Sequence, residues 1–339
     1  MAIQCYGPWT HNPLLRCQPS AERHDPLPAH GQHNPTSLAS SQATPPTNPA
    51  TTSAVRGGPS LGLELAVSAA VGTKMSGGAR TVCSVADRSM IEWTEATWNP
   101  TTGCDRISAG CDNCYAMTLS KRLKAMGNPK YQTDGDPRTS GPGFGVTVHP
   151  DSLDIPRRWR THRLVFVNSM SDLFHARVPT AFVAGVFKVM AETPQHTYQV
   201  LTKRPTRLAR IADRLPWPSN VWMGVSIESQ DTVGRCDILR EIPAAVRFVS
   251  AEPLLGPIEL DLDGIDWLIA GGESGPNHRP VHVEWVSSLR DQCQRAGIAF
   301  FFKQWGGVRP KAGGRTLNGQ TWSEMPRPVP GRTTLLTET

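Results

Sequence analysis

Between residues 145 and 306 the sequence repeats one design: a short apolar run of strand character turns polar at its end, and a helical stretch follows. The runs are GVTVH (145–149), LVFVNSMSD (164–172), TYQVLTKRP (197–205), VWMGVSIE (221–228), VRFVSAEP (246–253), DWLIAGGES (266–274) and IAFFFKQWG (298–306). Continuous apolar runs suit strands buried on both faces, as in a parallel sheet. Helix-forming stretches lie between them at about 179–193, 205–214, 229–241 and 283–296. Alternation of strand and helix implies right-handed βαβ units. The expected fold class is therefore α/β: a parallel (β/α) barrel, complete or partial and TIM-like. Residues 90–98 are expected to add one further strand.

The rest of the chain divides around this region. Of 23 Phe, Trp and Tyr residues, only Tyr6 and Trp9 precede Met90, and the first 89 residues hold 10 of the 30 prolines. Without large apolar groups, burial cannot offset chain entropy. Residues 1–89 are expected to be a disordered Pro/Ser/Thr-rich arm, with Met75 or Met90 as candidate true starts. Residues 90–306 are expected to be the barrel domain, and 307–339 a loop-rich tail. No stretch reaches the ~20 apolar residues of a membrane-spanning helix, and MAIQCYGPWTHN lacks the order of a secretory signal. The expected location is cytoplasmic. The net charge is +6 for the whole chain and +4 after residue 89, a mild excess compatible with an anionic partner.

In a parallel barrel, functional groups collect at the C-terminal strand ends. Those ends read Asn168-Ser169-Met170-Ser171-Asp172, Thr202-Lys203-Arg204, Ser226-Ile227-Glu228, Ser250-Ala251-Glu252, Gly271-Gly272-Glu273-Ser274 and Lys303-Gln304-Trp305. Acidic and basic groups gathered at one mouth are costly to bury without a polar ligand. Adjacent glycines additionally permit close ligand approach to free backbone N–H groups.

Eight cysteines are present, and three stand apart as Cys104-x6-Cys111-x2-Cys114 in TWNPTTGCDRISAGCDNCYAM. Asn99-Pro100, Gly103 and Gly110 mark turns, so Cys104 and Cys111 belong on an irregular loop. The run after Asn113 reads as a helix ended by Gly127, which puts Cys114 near a helix N-terminus, where the dipole favours thiolate. Three thiolates from one loop make a soft anionic site for iron–sulfur or zinc. A structural zinc site normally takes a fourth ligand, and the next histidines, His149 and His162, are distant in sequence. Cys236 and Cys293 sit in helical patterns and read as ordinary packed thiols.

Cysteine loop, helix and strand ends together resemble the radical S-adenosylmethionine (SAM) superfamily. More narrowly, IEWTEATWNPTTGC, CDNCYA, TKRP, SAEPLLGPI and AGGESG, spread from Ile91 to Trp305, resemble phage-type proteins of unknown function with a three-cysteine motif. The resemblance implies a [4Fe–4S] cluster on Cys104, Cys111 and Cys114, with SAM on the unique iron. One-electron cleavage of SAM would then give a 5′-deoxyadenosyl radical that abstracts hydrogen. It also implies an electron donor such as a flavodoxin or ferredoxin. The residues expected to face SAM are Tyr115, Ser250, Glu252, Gly271, Gly272 and Glu273; those expected to face substrate are Asp172, Arg204 and Gln304. Candidates for the chemistry itself are Lys203, Glu228 and Lys303. The chain departs from the superfamily pattern in its six-residue spacing, in Asn113 rather than an aromatic before the third cysteine, and in a late Gly-Gly-Glu segment. Glu252 therefore rivals Glu273 for the contact to the methionyl amine.

Two other readings use the same residues. A zinc-dependent nucleic-acid-binding protein would use the cysteine triad and the positive balance. A barrel enzyme with structural cysteines would use Lys203 or Lys303 as base or Schiff-base amine. The basic strand ends suit an anionic or nucleic-acid substrate.

Overall fold

In the computed structural model of the chain the described residues are 89–327. The expected arm (Ser89 apart), the candidate start at Met75 and the last part of the expected tail lie outside them. In chain order the strands are β1 (Ala96–Thr97), β2 (Thr101–Thr102), β3 (Thr147–Val148), β4 (Leu164–Val167), β5 (Thr197–Thr202), β6 (Val221–Ser226), β7 (Val246–Ala251), β8 (Trp267–Gly271), β9 (Ala299–Gln304), β10 (Thr316–Leu317) and β11 (Gln320–Thr321). The α-helices are α1 (Tyr115–Ala125), α2 (Thr180–Glu192), α3 (Pro205–Ile211), α4 (Gly234–Arg240) and α5 (Val283–Ala296).

Seven strands form one sheet in the order β1-β4-β5-β6-β7-β8-β9, every pair parallel, curled into a half-barrel. This is the expected α/β class in its partial form. The apolar runs stay continuous because both faces are covered. On the convex face Tyr198, Val200, Met223, Val225, Leu268, Phe300 and Phe302 pack against the helices, for instance against Val186, Phe187 and Met190 of α2. On the concave face Phe166, Trp222, Phe248, Trp267, Ile269 and Phe301 form a second cluster around Trp93. Neighbours along one strand therefore belong to opposite clusters, as the two-residue period of a strand requires. Gly224 makes room on the concave face: a Cβ there would stand 2.4 Å from the Phe248 ring.

One expected strand does not join the sheet. The run 145–149 contributes only β3, antiparallel to β2 in a separate two-stranded piece. Both β3 residues are only half-buried, so this run has no double apolar cover to hold it inside a parallel sheet. Ala96–Thr97 from the expected strand at 90–98 does join, pairing in register with Val165 and Phe166.

Beyond β9 the chain folds back on the sheet's far edge. The Phe302 amide donates to the Trp322 carbonyl, the Glu324 amide to the Phe300 carbonyl, and Phe301 bridges Ser323 antiparallel. Covering an edge strand in this way removes its free hydrogen-bonding row. Leu317 of the β10–β11 hairpin is buried in the main core. Among the described residues no helix is long and apolar enough to cross a membrane.

Candidate functional site

The cysteine loop lies over the C-terminal ends of the strands. It leaves β2 through Gly103, whose φ of +83° and close approach to Gly145 both require glycine; a Cβ would stand 2.2 Å from the Gly145 carbonyl oxygen. The Gly103 amide donates to the Met170 carbonyl at 2.9 Å, tying the loop to the end of β4. A single 3-10 turn, Ala109–Cys111, carries the second cysteine. Cys114 occupies the N-cap position of α1, as the helix pattern indicates. Burial pushes the Cys114 thiol up, while the Met117 and Ala116 amides at the helix start pull it down.

Two buried carboxylates clamp this loop. Glu228, at the end of β6 with its side chain 1% exposed, accepts from Ser108 Oγ at 2.9 Å and pairs with Arg235 at 2.8 Å and Lys203 at 3.2 Å. Gly110 sits so close to it that a Cβ would meet Glu228 Cγ at 2.4 Å. Glu273, after β8, binds the Arg279 guanidinium through both carboxylate oxygens, at 2.6 and 3.0 Å, and accepts from Asn113 Nδ2 at 2.9 Å. Arg279 reaches on to the Ala109 carbonyl at 2.9 Å. Burial opposes ionisation of Glu273, but the bonds from Arg279 and Asn113 prevail and hold its carboxyl below the usual range.

Beneath the loop lies a cavity of about 410 Å³, within the range of small-molecule sites. All three cysteines line it, with Tyr115, Asp172, Lys203, Ser250, Glu252 and Lys303 from the expected set. Trp93, Phe166 and Leu201 give it an apolar side. Lys303 pairs with Glu252 at 3.0 Å, and Ser250 Oγ donates to the same carboxylate at 3.3 Å. Asp172 is spent on structure: it accepts from Thr202 Oγ1 at 2.8 Å and from the Phe174 and Lys203 amides at 3.0 Å.

The remaining expected residues stand outside the cavity wall. Glu228 and Glu273 face the loop from below, as described. Gly271 packs against Glu252, where a Cβ would meet Oε1 at 2.6 Å; a Cβ on Gly272 would stand 2.1 Å from the Trp305 carbonyl oxygen. Gln304 is buried and bonds Ser274 Oγ at 2.8 Å and the Lys311 amide at 3.0 Å. Arg204 extends to Asp105 and Cys104, with Nη2 2.9 Å from the Asp105 carbonyl oxygen and 3.7 Å from Cys104 Sγ. His149 caps the β2–β3 pair by bonding Thr102 Oγ1 at 2.8 Å.

Some wall residues lie outside the expected set. Asn168 lines the cavity, is 5% exposed, and leaves its Oδ1 without a hydrogen-bond partner while Nδ2 donates to Thr101 and Ser171. Asp105 gathers Thr139, Ser140, His175 and Arg177. Asn168 is visible in sequence as a polar strand end; Asp105 is not, because its partners are 34 to 72 residues distant.

Three cysteine thiols around one cavity are a donor set of the kind that holds an iron–sulfur cluster or zinc. Among the described residues no three His, Cys, Asp or Glu groups converge as one metal ion requires. A mononuclear zinc draws its thiolates to about 2.3 Å from one point. In an iron–sulfur cluster each cysteine binds its own iron. Burial pushes the Cys104 thiol up to about 12; Asp172 adds to this and Arg204 opposes it.

Similar solved structures include spore photoproduct lyase complexed with dinucleoside spore photoproduct, at 16% identity and a TM-score of 0.37, covering 58% of this chain and 60% of that one. A cysteine-to-alanine mutant of spore photoproduct lyase is similar at 14% identity and a TM-score of 0.41, covering 64% and 79%. A double mutant of the same lyase with bound AdoMet and dinucleoside spore photoproduct is similar at 15% identity and a TM-score of 0.36, covering 62% and 57%. This chain thus spans about three fifths of the first of these. No curated protein sequence matches it. The family model described as "Protein of unknown function (DUF5131)" matches residues 88–326, and the chain belongs to that family.

Proposed function

We propose that this protein is a radical SAM enzyme. The observation that carries the reading is the meeting of three cysteine thiols, from a loop pinned by two buried carboxylates, on one cavity at the C-terminal ends of a parallel half-barrel. Cys104, Cys111 and Cys114 would hold a [4Fe–4S] cluster. When bound, the cluster and SAM supply one-electron cleavage of the sulfonium and hydrogen abstraction from substrate.

The chain's own residues divide the remaining work. Glu252 and Ser250 present acceptors to the cavity from the end of β7, next to the Lys303 ammonium. The unpartnered Asn168 Oδ1 offers one more acceptor from the end of β4. Tyr115 faces the cavity mouth with its hydroxyl donating to the Ser169 carbonyl at 2.7 Å. These groups suit the amine and hydroxyls of SAM. We assign Glu273, Gly271 and Gly272 to holding the loop and strand ends rather than to cofactor contact, because Glu273 is already committed to Arg279 and Asn113. Trp93, Phe166 and Leu201 exclude water from the inner side. The substrate we infer is anionic, a nucleotide or nucleic acid being one class; the cations on the cavity wall are Lys203 and Lys303, each also paired with a carboxylate, Glu228 and Glu252.

The test is SAM cleavage. Protein reconstituted without oxygen, reduced with dithionite and given SAM should release 5′-deoxyadenosine, and Cys111→Ala should abolish release. Equal release from the cysteine variants, or none from protein carrying a full cluster, contradicts the reading.

A further inference from the structure

The structure assigns Arg204 a part that its place beside a substrate cavity does not suggest: we propose that it is the counter-cation of the Cys104 thiolate, a positioning residue that raises the reduction potential of the cluster. This inference rests on the radical SAM reading above.

The geometry is specific. The guanidinium Nη2 donates to the Asp105 carbonyl at 2.9 Å and reaches Cys104 Sγ at 3.7 Å. Its Nε stands 3.9 Å from Asp172 Oδ2, and the side chain is 17% exposed. The Arg204 backbone is fixed as well, its amide donating to Thr202 Oγ1 at 2.9 Å, and that hydroxyl bonds Asp172. Nearby cations are otherwise engaged: Lys203 pairs with Glu228, and Arg207 donates to the His175 and Val178 carbonyls. Among the described residues, Arg204 is the cationic side chain that donates a hydrogen bond to a cysteine of the triad.

Cys111 has the Ser108 hydroxyl at 3.9 Å, and Cys114 has backbone amides. The three sulfurs are thus unequal: Cys104 takes a guanidinium hydrogen bond, with the Asp172 carboxylate also close to that guanidinium, whereas Cys114 has the Lys203 charge near it without a hydrogen bond from it. Hydrogen bonds to sulfur and net charge around a cluster set its potential. A cation at Cys104 withdraws electron density from that sulfur and favours the extra electron. The guanidinium's planar fork suits a contact shared between a carbonyl and a sulfur, which a point ammonium cannot hold in the same way.

Parent, Arg204→Lys and Arg204→Gln proteins, reconstituted without oxygen, would be compared by iron content and by redox titration followed by EPR. The expected result is a more negative midpoint in Arg204→Gln and an intermediate one in Arg204→Lys. Iron retained by Arg204→Lys but lost from Arg204→Gln also supports a role for the charge. An unchanged midpoint in Arg204→Gln at full iron content overturns the proposal. So does loss of iron from both variants with circular dichroism intact, which assigns a packing role. If the parent itself takes up no cluster, it is the radical SAM reading that fails, and this inference falls with it.

Discussion

At Glu228 two cations and a hydroxyl meet one carboxylate that is almost wholly removed from solvent. Removing one member of a buried ionic group leaves the others uncompensated, at about 3–5 kcal/mol. Glu228→Gln should therefore lower unfolding free energy by about 3 kcal/mol in urea titration; a change within experimental error would show that the cluster is well solvated. Gly110 belongs to the same contact. Gly110→Ala drives a methyl into Glu228 Cγ, an overpacking cost of about 1–3 kcal/mol. It should also lower iron loading after anaerobic reconstitution, and full loading would show that the loop has room to move. At this scale the cysteines are legible in sequence, because three thiols between residues 104 and 114 have few other uses. The duties of Glu228 and Glu273 are not: a carboxylate at a strand end reads the same whether it faces a ligand or, through Ser108, Asn113 and Arg279, a loop from far away in sequence.

Among the elements, the parallel strands are the most legible, since burial on both faces leaves an apolar run with a polar end. Run 145–149 has the same composition but pairs with β2, just upstream of Cys104, because it lacks apolar cover on two sides. That pair carries a pH signature. Burial and the neighbouring Lys130 charge hold His149 down to about 4, against an ordinary value of 6.5. Between these values the unfolded chain binds the proton and the native one does not, so stability rises with pH. The contribution of His149 should be complete above pH 6.5 and fall as pH drops toward 4. His149→Gln should flatten that part of the stability curve measured by denaturant midpoints; an unchanged slope would refute the assignment. In the sheet, Gly224→Ala should cost about 1–3 kcal/mol by pressing on the Phe248 ring. Adding Phe248→Leu should recover part of that loss, and strict additivity of the two changes would rule out the contact as its cause.

Among the described residues, the half-barrel leaves two sheet edges, and the chain after β9 covers one of them. The 322–324 segment covers β9, and Lys311 pairs with Glu92 at 2.9 Å, joining the residues before β1 to those after β9. This closure is illegible in sequence because it depends on backbone pairing and one long-range ion pair rather than on an apolar pattern. The seven-stranded half-barrel, the loop across its strand ends and the cavity between them follow from burial and turn chemistry; what the cavity serves turns on the group the three cysteines hold. The most direct measurement is the metal and sulfide content of protein isolated without oxygen. A brown protein with about four irons and about four sulfides per chain, lost together in Cys104→Ala, Cys111→Ala and Cys114→Ala, is the predicted result. A colourless protein carrying one zinc per chain would contradict it.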